Sequence, residues 1–454
     1  MAYKTIYPYN NKVLKEYDNA SDADLEAALK TGHQLYLQWR QEEPQTRSVL
    51  LQKIAAAMKD KREQLAEAMT YDMGKLLVEA QGEVDLCIWI MQYYAEHGAE
   101  LLQPVPLTTK LKHGYYLKQA TGVLVAVEPW NFPLYQVVRV LAPNMMVGNP
   151  MILKSASICP TSVQMFADLV QSAGAPAGAL TNLFISYDQV AKAIADPRVA
   201  GVCVTGSERA GASIAATAGQ NLKKSTLELG GNDAFLILED AKWSQLEQVV
   251  PQARLYNAGQ VCTSSKRFIV PASMYDQFLE MLKTAFSQVK MGDPMAKTTT
   301  LAPLSSQSAK TKLQQQVATA VAGGAKVYYG NEPVDLPGQF FAPTILTDIQ
   351  PDNPIFDQEL FGPVASVYRV ANEEEAIALA NNSSYGLGGT VFSGDVEHAA
   401  QVAAKVETGM SFINDGWSST PDMPFGGVKN SGYGRELSAL GLEAFVNQHL
   451  VLKP

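Results

Sequence analysis

Cys262 stands in Asn257-Ala258-Gly259-Gln260-Val261-Cys262-Thr263-Ser264-Ser265, among small and polar neighbours. A thiolate in such a place can attack a carbonyl carbon, and the same composition also suits a structural cysteine. Cys203, inside Val-Cys-Val, and Cys87, inside an apolar helical run, read as inert fillers. Cys159 precedes Pro160 and has no activating neighbour. Glu228, in Leu227-Glu228-Leu229-Gly230-Gly231, sits at the end of an apolar strand. Buried there, its pKa would rise toward the range of a general base; exposed at an edge, it would be an ordinary solvated acid. In Glu128-Pro129-Trp130-Asn131-Phe132-Pro133, two prolines fix the backbone around Asn131. A preoriented amide can stabilise a developing oxyanion, although Asn is also common in Pro-rich turns. Gly206-Ser207-Glu208-Arg209-Ala210-Gly211 joins an apolar strand to a helical run. The amides of such a helix N-terminus suit a pyrophosphate, or the glycines serve a turn and close packing. Ala212-Ser213 stands where a P-loop needs Lys followed by Ser or Thr, which excludes that motif.

These residues need a scaffold, and the hydrophobic pattern supplies one. The first hundred residues read as helical. Ser21 with Asp24 predicts a capped helix start, Pro44 opens a second helix, and a third covers Val78 to Tyr94. Tyr115 to Val127 reads as a hairpin or two strands about Thr121-Gly122. Strands at Met151–Lys154, 183–185 and 199–204 then alternate with helices near 163–173 and 188–195, the rhythm of a parallel, doubly wound sheet. A second alternating block follows Gly230-Gly231, with strands at 235–238, 267–271, 326–330, 365–370, 390–393 and 411–414.

The chain has 454 residues, enough for two or three domains. It carries 36 Lys+Arg against 45 Asp+Glu, a net charge of −9, which argues against nucleic acid or an anionic membrane as main partner. A 47% hydrophobic fraction excludes general disorder. No apolar stretch reaches the ~18 residues of a membrane span, and the N-terminus lacks a secretory pattern. Four cysteines without C-x-x-C spacing and five histidines make a zinc site or disulfide framework unexpected. A cytoplasmic setting is expected.

Taken together, EPWNFP, LELGGN, GQVC, ELFGPV and PFGGVKNSGYGRE occur in an order that resembles the aldehyde dehydrogenase superfamily over essentially the whole chain. YNAGQVCTSSKRFIV and VTGSERAG look most like its group of shorter succinate-semialdehyde dehydrogenases. The resemblance implies an α/β fold with two doubly wound domains, a Rossmann-like cofactor domain and a catalytic domain, plus a β oligomerisation arm. The expected spans are 1–101 and 121–230 for the cofactor domain, 231–427 for the catalytic domain, and 102–120 with 428–454 for the arm. It implies oxidation of a small aldehyde to an acid, through a thiohemiacetal and a thioester, with NAD or NADP as cofactor. Cys262 would be the nucleophile and Glu228 the base, with Asn131 and the Cys262 N–H as oxyanion donors. Lys154 would reach the adenosine ribose, Trp130 would line the cleft, and Gly206 and Ser207 would meet the pyrophosphate. Glu359 and Phe361 would hold the nicotinamide end, and Glu436 would support a water path near the base.

Arg139, on the helix opened by Pro133, is expected either to clamp a distal carboxylate by a bidentate pair or to make a salt bridge. The family's second arginine is replaced by Tyr256, with Arg254 displaced in register; Ser418-Ser419-Thr420 could supply hydroxyls instead. Ser157 stands where many relatives carry an acid that accepts the 2′-OH of NAD, so NADP should be admitted. Val140 replaces a family lysine, and Ser264 replaces a second cysteine, so no redox disulfide is expected. A Tyr- and Leu-rich hairpin edge near 102–120, paired with 446–452, needs a cover, which predicts a homodimer or homotetramer.

Overall fold

The computed structural model describes residues 2–108, 110, 113–416 and 418–453. Met1, Thr109, Leu111, Lys112, Trp417 and Pro454, which fall within the spans expected above, lie outside the described residues. Two large sheets organise the chain. The first has six strands in the order Gly432–Tyr433, Lys224–Glu228, Val199–Thr205, Val123–Val127, Met151–Lys154, Leu180–Asn182. All pairings are parallel except the first, which is antiparallel. The VLVAV strand is buried on both sides, as a parallel sheet covered by helices requires. Leu124 and Ala126 pack toward helices Pro44–Asp60, Leu77–Leu101 and Tyr135–Val147, while Val123, Val125 and Val127 face the opposite core.

The second sheet has seven strands in the order Lys326–Tyr329, Thr344–Thr347, Val364–Val370, Arg267–Pro271, Ala234–Ile237, Gly389–Phe392, Phe412–Ile413. It is parallel but for the first, edge strand. Val446–Lys453 pairs along the whole of His113–Ala120, which also pairs with Val105–Leu107, in a separate antiparallel sheet. The fold is thus the α/β aldehyde dehydrogenase-like arrangement expected. Within 428–454, Gly432–Tyr433 returns to the six-stranded sheet instead of joining the three-stranded one.

Local sequence accounts for the helix starts. Ser21 and Asp24 form a reciprocal capping box, and Pro44 occupies the first turn, where its missing N–H is no loss. Three expectations need correction. The first hundred residues are not all helical: Tyr3–Tyr7 and Lys12–Tyr17 form a hairpin, with Asn11 at φ 60 in its turn. Its second strand is largely exposed and so carries no apolar alternation to read. The strand expected at 183–185 lies at Leu180–Asn182, and Thr344–Thr347, four buried residues, was not anticipated.

Candidate active site

The parallel strands of the first sheet end together, and their carboxyl ends open on a cleft of about 420 Å³. Trp130, Asn131, Gly206, Ser207, Glu359 and Phe361 all line it, as does Cys262. Cys262 follows a helix, Trp243–Leu255, that ends in a tight turn. Asn257, Ala258 and Gly259 there have φ of 50, 53 and 72, three consecutive left-handed residues. At Gly259 a side chain would also meet the Gly362 carbonyl oxygen at 2.4 Å, so both conformation and space demand glycine. The turn delivers Cys262 to the cleft. It is partly exposed, whereas Cys87, Cys159 and Cys203 are buried. Burial nevertheless pushes its thiol up to about 12, with Lys266 and Arg139 pulling the other way. Burial thus favours the neutral thiol over the thiolate, against the pull of the two cations.

Asn131 is buried, and its Nδ2 donates to the Gln260 carbonyl at 3.1 Å. That uses one of its two amide hydrogens. Trp130 and Phe361 meet edge to face across the cleft, 5.7 Å between ring centres. Ser207 caps helix Glu208–Gln220, its Oγ accepting from the Ala210 N–H. Glu359 Oε1 accepts from the Gly231 N–H at 3.1 Å and pairs with Lys266, whose ammonium also donates to the Cys262 carbonyl. A side chain at Gly230 would meet Glu359 Oε2 at 2.7 Å and Glu208 Oε1 at 2.9 Å, so both carboxylates crowd this bare backbone.

Glu228 is buried, and among the described residues neither carboxylate oxygen has a hydrogen-bond partner. Burial and then the nearby Glu436 carboxylate push it well above the usual carboxylate range, against Arg139 and Arg435. It shares this region with Glu128, whose strand lies beside Val199–Thr205, while Thr205 pairs with Glu228. Burial, then Glu436, raises Glu128 as well. Three buried carboxyl groups thus share Arg139.

Arg139 is fully buried and forms an ion pair with Glu436. Its Nη2 lies 3.5 Å from Thr205 Oγ1, and the Phe425 ring is 4.2 Å from its guanidinium carbon. It is not among the residues lining the cleft. Its guanidinium meets an internal carboxylate far down the chain, the salt bridge that stood beside the carboxylate clamp as an expectation. Arg254 is also fully buried, donating to the carbonyls of Val364 and Leu360 and to Ser264 Oγ. That bond gives Ser264 a structural place.

Lys154 and Ser157 lie outside the cleft lining. Lys154 is buried at the end of its strand. Its ammonium donates to Ser155 O at 3.1 Å, and among the described residues it has no carboxylate partner. Burial lowers it to about 8. An uncompensated cation, an open Gly206 and the Ser207-capped helix start make a set that fits an anionic dinucleotide. Glu208, Lys266, Glu79 and Asn257 were not singled out from sequence. Glu208, in the first turn of a helix behind Gly206-Ser207, was legible there; the other three depend on contacts between distant segments.

The comparisons with known proteins agree with this geometry. The model described as "Aldehyde dehydrogenase family" matches residues 1–451. The chain belongs to the aldehyde dehydrogenase family. This aldehyde dehydrogenase is 45% identical over 449 residues to a succinate-semialdehyde dehydrogenase [NADP(+)] of Deinococcus radiodurans, covering 99% of this chain and 94% of the relative. It is 59% identical to the crystallised succinic semialdehyde dehydrogenase of Streptococcus pyogenes in complex with NADP+, with full coverage of both chains and a TM-score of 0.99. A betaine aldehyde dehydrogenase variant from Staphylococcus aureus, in complex with NAD+, is 30% identical, with a TM-score of 0.96 and coverage of 100% and 94%. It is an NAD(P)-dependent oxidoreductase of aldehydes.

Proposed function

We propose that this aldehyde dehydrogenase oxidises succinate semialdehyde to succinate with NADP, through a thioester on Cys262. The observation that carries this is the convergence, at one cleft, of a partly exposed cysteine, the Asn131 amide and the Gly206-Ser207 helix start, beside a buried carboxyl without a partner. Cys262, partly exposed, gives its proton to solvent water, and its sulfur bonds to the aldehyde carbon. The oxygen left negative is held by the second Asn131 amide hydrogen and the Cys262 N–H. Trp130, Glu359 and Phe361 would hold the nicotinamide end of the dinucleotide, which would take up the hydride that the former aldehyde carbon loses as the thioester forms. Glu228 takes a proton from water, which attacks the thioester, breaks the carbon–sulfur bond and releases the acid. Raised by burial and by Glu436, the Glu228 carboxylate is a stronger base for that proton. Gly206 and Ser207 would receive the pyrophosphate, and Lys154 the adenosine ribose. With Ser157 in place of an acid, and with no carboxylate on Lys154, a 2′-phosphate meets no like charge there.

With Arg139 paired to Glu436, the hydroxyls of Ser418, Ser419 and Thr420, which like Arg139 lie outside the cleft lining, would offer hydrogen bonds to the far carboxylate of the substrate. Tyr135, on the helix after Asn131, supports this placement, its OH lying 2.7 Å from Ser419 Oγ. Residues 1–101 and 121–230 would form the cofactor domain, 231–427 the catalytic domain, and 102–120 with 428–454 an arm. Leu450 and Leu452, 54% and 53% exposed on the terminal strand, support a homodimer or homotetramer that covers this sheet. Four free cysteines suit a reducing cytoplasm. Among the described residues no helix is long and apolar enough to cross a membrane.

The test is a steady-state assay of succinate semialdehyde and an uncharged aldehyde of similar length. Each is run with NADP and with NAD, with and without coenzyme A. Preference for the semialdehyde and for NADP, without need of coenzyme A, is expected. Strict dependence on coenzyme A, or no cofactor reduction by any aldehyde, would defeat the proposal.

A further inference from the structure

The chemistry needs two separate loops at a fixed spacing, one carrying Asn131 and the other Cys262. Both are tied to a single helix, Leu77–Leu101. Glu83 Oε1 accepts from the N–H groups of Leu134 and Tyr135, at 2.9 and 3.0 Å, where the Asn131 loop enters its helix. The other Glu83 oxygen pairs with buried Lys75. Four residues earlier, on the same helix face, Glu79 Oε1 accepts from the Asn257 N–H at 3.0 Å. Asn257 is the first residue of the left-handed turn before Cys262. Its Nδ2 donates to Asn131 O at 2.9 Å and to Gln260 O at 3.3 Å, the carbonyl that also receives the Asn131 amide. Asn257 and Ala258 are non-glycine residues with positive φ, a conformation that persists only where surrounding contacts hold it.

Resting on the reading of Cys262 as nucleophile, we propose that Glu79 is a positioning residue for it: by accepting the Asn257 N–H, Glu79 holds the left-handed turn that registers the sulfur against the Asn131 amide. Lys75, just before the helix, faces Glu79, and Tyr256 of the turn faces both Glu79 and Glu83. What matters is the reach of an acceptor oxygen rather than its charge. Two substitutions separate these properties. Glu79→Gln keeps the reach and loses the charge; Glu79→Asp keeps the charge and withdraws the oxygen by one carbon.

Two rates are measured on each purified full-length variant: the pre-steady-state burst of NADPH with succinate semialdehyde, and the alkylation of Cys262 by iodoacetamide without substrate. NADP affinity and thermal midpoint are recorded alongside. Misplacement of a reacting group by about 1 Å costs ~100-fold in rate, so Glu79→Asp is expected to slow the burst by about 10- to 100-fold. Glu79→Gln should stay within about threefold of wild type, because the acceptor is retained. Alkylation should follow the same order, with kcat falling and the KM for NADP unchanged. A Glu79→Asp burst and alkylation rate equal to wild type would overturn the proposal, as would a Glu79→Gln variant slower than Glu79→Asp. If the wild type reduces no cofactor, the catalytic reading fails by itself, and the order of alkylation rates still decides whether Glu79 places the sulfur.

Discussion

Arg139 offers the sharpest quantitative test. Its guanidinium is fully buried, paired with a Glu436 side chain that is 5% exposed. Replacing it with Met keeps an unbranched apolar stem and removes the charge. Glu436 is then left in the low-dielectric interior beside Glu128 and Glu228, each of which already raises the cost of charging another. Removing one partner of a buried ion pair costs about 3–5 kcal/mol. Contact with the Phe425 ring, 4.2 Å away, adds to the loss, so the upper part of that range is expected. Removing both charges, in Arg139→Met with Glu436→Gln, takes away the stranded carboxylate and should recover more than half of the deficit. Urea unfolding of wild type, the two single variants and the double variant measures this cycle. In parallel, KM is measured for succinate semialdehyde and for an uncharged aldehyde of similar size. Because Arg139 does not line the cleft, the ratio of the two KM values should not move. Wild-type stability in Arg139→Met, together with a rise in KM for the semialdehyde alone, would refute the reasoning and restore Arg139 as a substrate clamp.

Other expectations follow from the same geometry. Cys262→Ser should form no NADPH in a single turnover while binding NADP as wild type does, since the sulfur and the dinucleotide elements are separate; an active serine variant would remove the nucleophile. Glu228→Gln should retain the burst but lose ~10²–10⁴-fold in steady-state turnover, because water is then deprotonated without a base; equal loss in both phases would place Glu228 in the first half of the reaction. Asn131→Ala should lower kcat by about 10²–10³-fold, the range for one oxyanion donor, with little change in unfolding midpoint. Lys154 titrates at about 8, lowered by burial, so its charge is present below that pH and lost above it. NADP affinity should therefore fall as pH rises through 8 in the wild type, and Lys154→Met should be weak and flat across the same range by fluorescence titration.

Much of this was legible in the sequence because its signals were local. VLVAV, RFIVP and ASVYRV are runs long enough to show doubly buried strands. The contrast between Cys203 and Cys262 followed from their immediate neighbours, and the structure buries the first and exposes the second in part. What escaped depended on contacts between distant segments. The hairpin Tyr3–Tyr7/Lys12–Tyr17 presents one exposed, charged strand, so no face-by-face pattern marks it. Glu79 reads as one acid on an amphipathic helix, and nothing nearby says that it meets the Asn257 backbone. Arg139 was singled out, but its partner in the GRE segment, Glu436, is brought to it only by the fold.

The antiparallel strand at Gly432–Tyr433 has a temporal consequence. Gly432 pairs with Glu228 itself, Phe425 and Glu436 bridge just before and after it, and a side chain at Gly426 would strike Glu228 Oε1 at 2.6 Å. The surroundings of Glu228, the proposed base, are thus closed by residues synthesised long after the loop that carries Cys262. A polypeptide halted on the ribosome before this stretch would hold the Cys262 loop while the surroundings of Glu228 are still unfinished.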